Sequence, residues 1–463
     1  MNKINIRSYL GSLAVILVLM TVCYALTFFV PGGEYARTTD ENGYTVLDTE
    51  QPFRYVDADY PVWKFLLSPF LVLGAEGGGT IIAVIAFLLI IGGVFEVLNR
   101  CNLIRYLLGL LTDSYGDKKY ILMAMMILIF MAMGSFVGSF EEVVPIVPIV
   151  VGLSVAFGWD AFVGINMSMV AAGCGFAAGI MNPFTVGVAQ KLAGLPMFSG
   201  MWLRAASFFL IYFLLLSCTF VYAKRHEKAD AQNDLNGNGE KFVRDPRLSR
   251  AIRSFAVILG IGVLLIISSV FIPALQDLTM IIVALMFLVA GVVSAIAAGV
   301  KPGPFFRDFG NGVLSILPAV LMILLASSIK YTLTESKMLD TMMHAAVGAA
   351  EKIPRPLVIL FIYLLVLVLN FFIASGSAKA FLVIPLIVPI ASVFGISAQL
   401  CILAYAFGDG FSNVFYPTNP ALLICLGLSD VPYPQYAKRA WKFQLLNLLL
   451  TSAILMAGLA LGY

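Results

Sequence analysis

A stretch that should break helices lies inside apolar sequence, and the chain contains it twice; this repetition limits most strongly what the chain can be. The first copy opens as GSFEEVVPIVP (Gly138–Pro148) and closes as IMNPFTVGVAQ (Ile180–Gln190). The second opens as GSAKAFLVIP (Gly376–Pro385) and closes as YPTNPALL (Tyr416–Leu423). Gly138 and Gly376 are 238 residues apart, and the Asn-Pro pairs at Asn182 and Asn419 are 237 apart, so a single one-residue gap aligns the copies. Backbone that breaks at membrane depth is tolerated only where protein buries it or where it lines a cavity. Duplicated broken segments of this kind point to the binding site of a secondary transporter.

The membrane setting follows from composition. Of 463 residues, 60% are hydrophobic and 12% charged, against about 25% charged in soluble domains. A net charge of +3 gives no reason to expect a nucleic-acid partner. The six cysteines are scattered through apolar runs, in neither a metal motif nor a disulfide framework. The two histidines, His226 and His344, are too few and too far apart for a metal cluster, and no nucleotide-binding loop is present. The apolar run from Tyr9 to Val30 lacks a small-residue cleavage site and reads as a first span, not a removed signal.

A span needs about 20 apolar residues. Nine such segments stand near 10–30, 79–98, 161–181, 201–222, 252–272, 279–299, 311–329, 398–416 and 443–461. Two further apolar blocks, 119–157 and 355–394, are interrupted by Gly and Ser at their middles and are expected to be re-entrant hairpins with short arms. Each follows a moderately polar helical stretch, Asn102–Ser114 and Lys337–Lys352, expected to lie along the membrane surface. With a cytoplasmic N-terminus, 19 basic residues fall inside and 9 outside, with Lys379 inside a hairpin, as the positive-inside rule demands. The C-terminus is then outside. The units expected are a first repeat (1–222, with hairpin 119–157 and broken helix 161–190), a cytoplasmic linker (223–251) and a second repeat (252–463, with hairpin 355–394 and broken helix 398–423). An odd number of crossings separates equivalent spans, which inverts the second copy. The expected fold is therefore an all-α polytopic membrane protein built as an inverted repeat; segment 279–299 has no partner in the first copy, where the 31–78 loop stands instead.

Helix breaks free backbone N–H and C=O groups, and a half-helix N-terminus carries partial positive charge suited to a carboxylate. Ser135 and Ser139 in the first hairpin, and Ser375 and Ser377 in the second, are candidate hydroxyl ligands. Glu141 and Glu142 follow the first tip, while Lys379 takes the position equivalent to Glu141. Ionisable groups at membrane depth are functional candidates by default. One reading pairs Lys379 with one of these glutamates; the other gives an acid to a substrate ammonium or coupling ion and leaves Lys379 as a fixed positive charge. Asp409 lies between glycines in a broken span, near Ser412, Asn413, Thr418 and Asn419, and its counterpart is Ala172. That asymmetry makes it the first candidate for a cationic side chain. Asn182 and Asn419 precede Pro in both copies and are placed to satisfy freed backbone. Thr185 and Gln190 are weaker candidates, and Glu96, near a span end, reads as structural.

The motifs GSFEEVVPIVP, NPFTVGVAQ and GDGFSNVFYPTNP resemble the YfcC family, relatives of the anaerobic C4-dicarboxylate carriers within the ion-transporter superfamily, over essentially the whole chain. The resemblance implies an elevator-type carrier with a dimerising scaffold domain, a transport domain built from the hairpins and broken helices, and amino-acid or carboxylate substrates. In related carriers each hairpin contributes to a sodium site, which makes Ser135, Ser139 and Asn182 candidates for sodium and leaves coupling to sodium or a proton open; Lys379 would stand in for one cation. No other cofactor is expected. Three acids against one lysine favour a basic amino acid over the alternative, a C4-dicarboxylate or other organic anion. An intramembrane enzyme would need a metal cluster or an activated nucleophile, neither of which the sequence contains. The expected setting is the inner (cytoplasmic) membrane, as a homodimer in the lipid bilayer.

Overall fold

The computed structural model describes residues 6–39, 45–47, 51–75, 78–138, 140–227, 244–269, 279–350, 352–373 and 375–463. After α1 (Ile6–Leu26) the chain forms two small antiparallel pairs: β1 (Gly33–Glu34) with β4 (Arg54–Tyr55), and β2 (Arg37–Thr39) with β3 (Thr45–Leu47). The short helix α2 (Val62–Leu71) follows, where the sequence suggests only loop. Then come α3 (Gly78–Arg100) and α4 (Leu103–Tyr115), the latter at the first expected surface arm.

The first interrupted block is α5 (Lys119–Ala132), a π turn at Met133–Val137, a 3-10 stretch at Glu141–Ile146 and α6 (Val147–Ala156). The helix behind it is broken into α7 (Ala161–Ile165), α8 (Ala171–Ala178) and α9 (Val188–Leu192). Next are α10 (Met201–His226), α11 (Pro246–Ser269), α12 (Thr279–Ala297) and the 34-residue α13 (Pro302–Glu335). The second copy runs through α14 (Met338–Ala350), α15 (Val358–Phe372), α16 (Gly376–Val393), α17 (Ala398–Asn413), α18 (Pro420–Leu428) and α19 (Tyr433–Ala460).

Several boundaries differ from the sequence reading. The linker is shorter than 223–251, because α10 continues to His226 and α11 begins at Pro246. The second broken helix continues past residue 423 to Leu428. Among the described residues seven helices are long and apolar enough to cross a membrane: 81–100, 119–137, 161–192, 201–226, 302–335, 355–372 and 433–460. The first arms of both interrupted blocks are in this set although they read as too short. The π turn carries one helically on to Val137, and a 3-10 turn at Arg355–Leu357 precedes the other.

The two broken helices form the centre. From Leu400 to Asn413 every residue of α17 is buried, as are all residues of α8. A helix that is buried all round lies inside the protein. The outer helices instead expose apolar side chains, such as Leu445, Leu446 and Leu449 on α19, to the lipid.

The centre packs through glycines. A Cβ on Gly173 would lie 2.2 Å from Val414 Cγ1, and one on Gly410 would lie 2.4 Å from Ala177 Cα. Gly173 and Gly410 are equivalent in the repeat, and so are Ala177 and Val414, so the two contacts are reciprocal. Both interrupted blocks also end beside their beginnings. Lys119 Nζ donates to Phe157 O at 3.4 Å, and Arg355 packs its guanidinium against Gly395.

Polar contacts between loops fall into two sets. One holds Lys119 and Tyr120 with Glu227, Asp160 with Tyr222 and Arg439, and Tyr106 with Ser249. The other holds Arg37 with Asp340, Lys64 with Glu335, and Gln190 with Gln399. The 26 residues of α10 run from Ser199 and Gln190 at one set to Glu227 at the other, a rise of about 39 Å that exceeds the ~30 Å hydrocarbon layer.

Candidate functional site

Local chemistry sets each break. The first tip leaves its π turn at Gly138, whose backbone is left-handed (φ 78°, ψ 19°). A Cβ there would sit 2.5 Å from Asn182 Oδ1, so glycine is required for both conformation and space. Ser135 fastens this tip to the neighbouring break: its Oγ accepts from Ile180 N at 3.0 Å and its carbonyl from Met181 N at 3.1 Å. α8 stops at the left-handed Gly179, and Asn182 caps the next half-helix, accepting from Phe184 N (2.9 Å) and Thr185 N (3.3 Å). Pro183 and Pro420 follow the two caps at a position where a missing N–H costs nothing. In the second copy Asn419 accepts from Leu422 N at 3.2 Å.

The second tip meets both broken helices. α16 opens at Gly376, where a Cβ would sit 2.5 Å from Asp409 Oδ2 and 2.6 Å from Thr185 Cγ2. Behind this point lies a fully buried ion pair, with Lys379 Nζ 2.7 Å from Asp409 Oδ1. Lys379 also donates to Asn370 Oδ1 and to Ile373 O (3.4 Å), and its Nζ lies 5.9 Å from the centre of the Tyr405 ring. The Asn370 amide donates onward to Asp409 O, Ser412 Oγ (2.7 Å) and Asn413 Oδ1 (2.9 Å), and Asn419 donates to the same Asn413 oxygen at 2.9 Å. Tyr405 donates to Gly376 O and ties this cluster to the tip.

This geometry corrects the sequence reading of the charges. Lys379 pairs with Asp409 and with neither glutamate, although Glu141 holds the equivalent repeat position. Asp409 is accordingly not a lone acid awaiting a cation. Glu141 is exposed; Glu142 is half-buried, with Oε2 accepting from Phe140 N at 3.1 Å. No basic side chain pairs with either glutamate among the described residues.

Of the ten buried side-chain polar atoms with no protein partner among the described residues, four belong to this region: Asn182 Nδ2, Thr185 Oγ1, Asp409 Oδ2 and Thr418 Oγ1. Buried polar groups normally find partners, so this concentration makes the region the candidate for receiving a polar ligand. The remaining candidates are less central. Ser375 is exposed at the start of α16, the Ser377 side chain lies outside the described set, and Ser139 lies outside the described residues. Gln190 is engaged with Ser199, Phe198 and Gln399, away from the breaks, and Glu96 pairs with Arg100 at 2.8 Å. Of the candidate sodium set, Asn182 Oδ1 already accepts two backbone N–H groups, which leaves the amide's donor side free.

Sequence reasoning missed Asn370, Tyr405 and Arg204. Asn370 carried a signal, as an amide inside the apolar run VLVLNFF of the second interrupted block. Arg204, fully buried, donates to the carbonyls of Ile180 (3.3 Å), Phe198 (3.3 Å) and Ser199 (2.8 Å), so it supports the first break from behind. Neither its burial nor its partners can be read from its place near the start of a span.

Paired broken helices at the centre, apolar helices long enough to cross a bilayer and convergent unsatisfied polar groups define a membrane carrier, not an enzyme. The chain belongs to the C4-dicarboxylate anaerobic carrier (DcuC) family, whose model matches residues 10–460. It is 29% identical over 405 residues to YfcC of Escherichia coli strain K12, provisionally named a basic amino acid antiporter, covering 83% of this chain and 79% of that one. It is 24% identical over 375 residues to an uncharacterized protein of Haemophilus influenzae, covering 78% and 72%. Among solved structures it resembles the YdaH transporter of Alcanivorax borkumensis (TM-score 0.46, 18% identity, 98% and 99% covered). It also resembles the efflux pump MtrF of Neisseria gonorrhoeae (TM-score 0.43, 13% identity, 96% and 94% covered). TM-scores at this level transfer no architecture.

Proposed function

We propose that this protein is a secondary active transporter that moves basic amino acids, by exchange, across the inner membrane. The observation that carries the reading is the distribution of charge at the breaks. Asp409 neutralises Lys379, so among the described residues Glu141 and Glu142 stand without a cation three and four residues beyond Gly138, whose backbone abuts Asn182. A substrate with a cationic side chain supplies the missing charge. Its α-carboxylate finds unsatisfied donors in the Asn182 amide and the Thr185 and Thr418 hydroxyls. The relationship to YfcC supports the same substrate class.

The proposed architecture keeps nine spans and two re-entrant hairpins, with a cytoplasmic N-terminus and an outer C-terminus. The adjacent ends of segments 119–157 and 355–394 support the hairpins, and the reciprocal Gly173–Val414 and Gly410–Ala177 contacts support an inverted repeat about a local two-fold axis. The proposed mechanism is elevator-type, in a homodimer whose scaffold includes α3 and α13.

A C4-dicarboxylate substrate is the second reading. The family's own description favours it, and the same free amide and hydroxyls suit a carboxylate. Counterflow into proteoliposomes loaded with arginine, ornithine, succinate or fumarate separates the two. Exchange confined to arginine and ornithine, lost in Glu141→Gln/Glu142→Gln, is the expected result; exchange confined to succinate or fumarate sinks it.

A further inference from the structure

The outer face of α11 carries a pair of basic residues followed by an apolar stripe. Arg250 and Arg253 are exposed one turn apart near the start of this helix, and neither guanidinium has an acidic partner among the described residues. Some other basic residues at this end of the molecule are paired: Arg100 with Glu96, Lys119 with Glu227, Arg307 with Asp308 and Arg439 with Asp160. The two arginines, with Ser254 and Val257, line a cleft of about 340 Å³ whose far wall is Ala297 of α12.

Below the arginines the same helix face turns apolar and stays exposed. Val257, Ile261 and Leu264 are 56%, 54% and 66% accessible, at the i, i+4, i+7 spacing that makes one stripe. On α12, Val289, Val293 and Ile296 are exposed as well. From Arg253 to Leu264 the helix rises about 16 Å, close to half of the ~30 Å hydrocarbon core, or one leaflet. Two cations at one end and an exposed apolar stripe one leaflet long match a phosphate headgroup with its acyl chain. A free anion would have no use for the stripe.

We propose that the α11–α12 cleft binds an anionic phospholipid, its headgroup phosphate on Arg250 and Arg253 and an acyl chain along Val257, Ile261 and Leu264. The proposal depends on the chain spanning a bilayer and not on which solute it carries. Each basic residue at an anionic surface contributes about 1 kcal/mol, or roughly fivefold in binding.

The test uses the full chain in nanodiscs of phosphatidylcholine doped with fluorescent phosphatidylglycerol. Wild type should hold phosphatidylglycerol in preference to phosphatidylcholine. Arg250→Gln/Arg253→Gln should lose about 25-fold of that preference while melting at the wild-type temperature in pure phosphatidylcholine. Ile261→Ser should weaken retention further, as headgroup contacts alone would not require. Equal retention of the two lipids by wild type, or an unchanged preference in the double arginine variant, overturns the site. Displacement of the labelled lipid by millimolar inorganic phosphate would show a free-anion site and also overturns it.

Discussion

The buried Lys379–Asp409 pair makes the sharpest claim about the centre of this protein, and its removal has a calculable cost. Both side chains are fully buried, 2.7 Å apart, and Lys379 is further held by Asn370 and Ile373. Asp409→Asn leaves an ammonium buried beside a neutral amide, and Lys379→Met leaves a carboxylate among Gly376, Thr185 and Asn370. Breaking such a pair on one side costs about 3–5 kcal/mol, because one charge stays in a medium that solvates it poorly. Removing both charges at once avoids that penalty, so Lys379→Met/Asp409→Asn should recover most of the loss. Simple addition predicts a deficit of roughly 6–10 kcal/mol for the double variant, and the shortfall from that figure is the coupling between the two residues. Unfolding in mixed detergent–SDS micelles, followed by tryptophan fluorescence, measures all four proteins. A single variant within about 1 kcal/mol of wild type, or a double variant showing the summed loss, refutes the pairing. Transport gives an independent check. With Asp409 engaged by Lys379, Asp409→Asn should depress exchange of every substrate alike. An Asp409→Asn variant that lowers exchange of only one of arginine and ornithine would instead mark Asp409 as a substrate contact.

Three further outcomes are expected. Gly376→Ala places a methyl group 2.5 Å from Asp409 Oδ2 and 2.6 Å from Thr185 Cγ2; overpacking of this kind costs about 1–3 kcal/mol, and exchange in proteoliposomes should fall at least tenfold while the protein still purifies as a folded species. Single cysteines at positions 119 and 157 should be labelled by impermeant reagents from the same side, and those at 355 and 395 from the opposite side; labelling of 119 and 157 from different sides would make that block a single crossing and remove the hairpin. Hydrogen bonds from Lys119 and Tyr120 hold the Glu227 carboxyl below its ordinary range. A depressed carboxylate stabilises the folded state above its unfolded pKa and loses that contribution as pH falls through the folded value. Melting temperature should therefore drop below about pH 4 by less in Glu227→Gln than in wild type, and equal acid sensitivity in the two would remove Glu227 from the account.

The sequence by itself determined where the helices break, because a break is made by residues next to one another. Glycine at 138 and 179 takes a left-handed backbone that other residues resist, and Asn-Pro at 182 and 419 caps one half-helix while ending the segment before it; neighbouring residue types alone are enough to place each of them. Membrane character and the duplication were legible for the same reason, since composition and spacing are properties of the chain read along its length. Charge pairing was not. Lys379 and Glu141 share a repeat position, yet that equivalence says nothing about which acid a lysine reaches once two interrupted blocks and two broken helices close together. Only the packing of α16 against α17 brings Lys379 onto Asp409, 30 residues further along, and only the fold of α15 brings Asn370 between them. The glycine contacts at 173, 376 and 410 were equally hidden, for a glycine in sequence shows that a side chain is missing and only the tertiary structure shows what stands in its place.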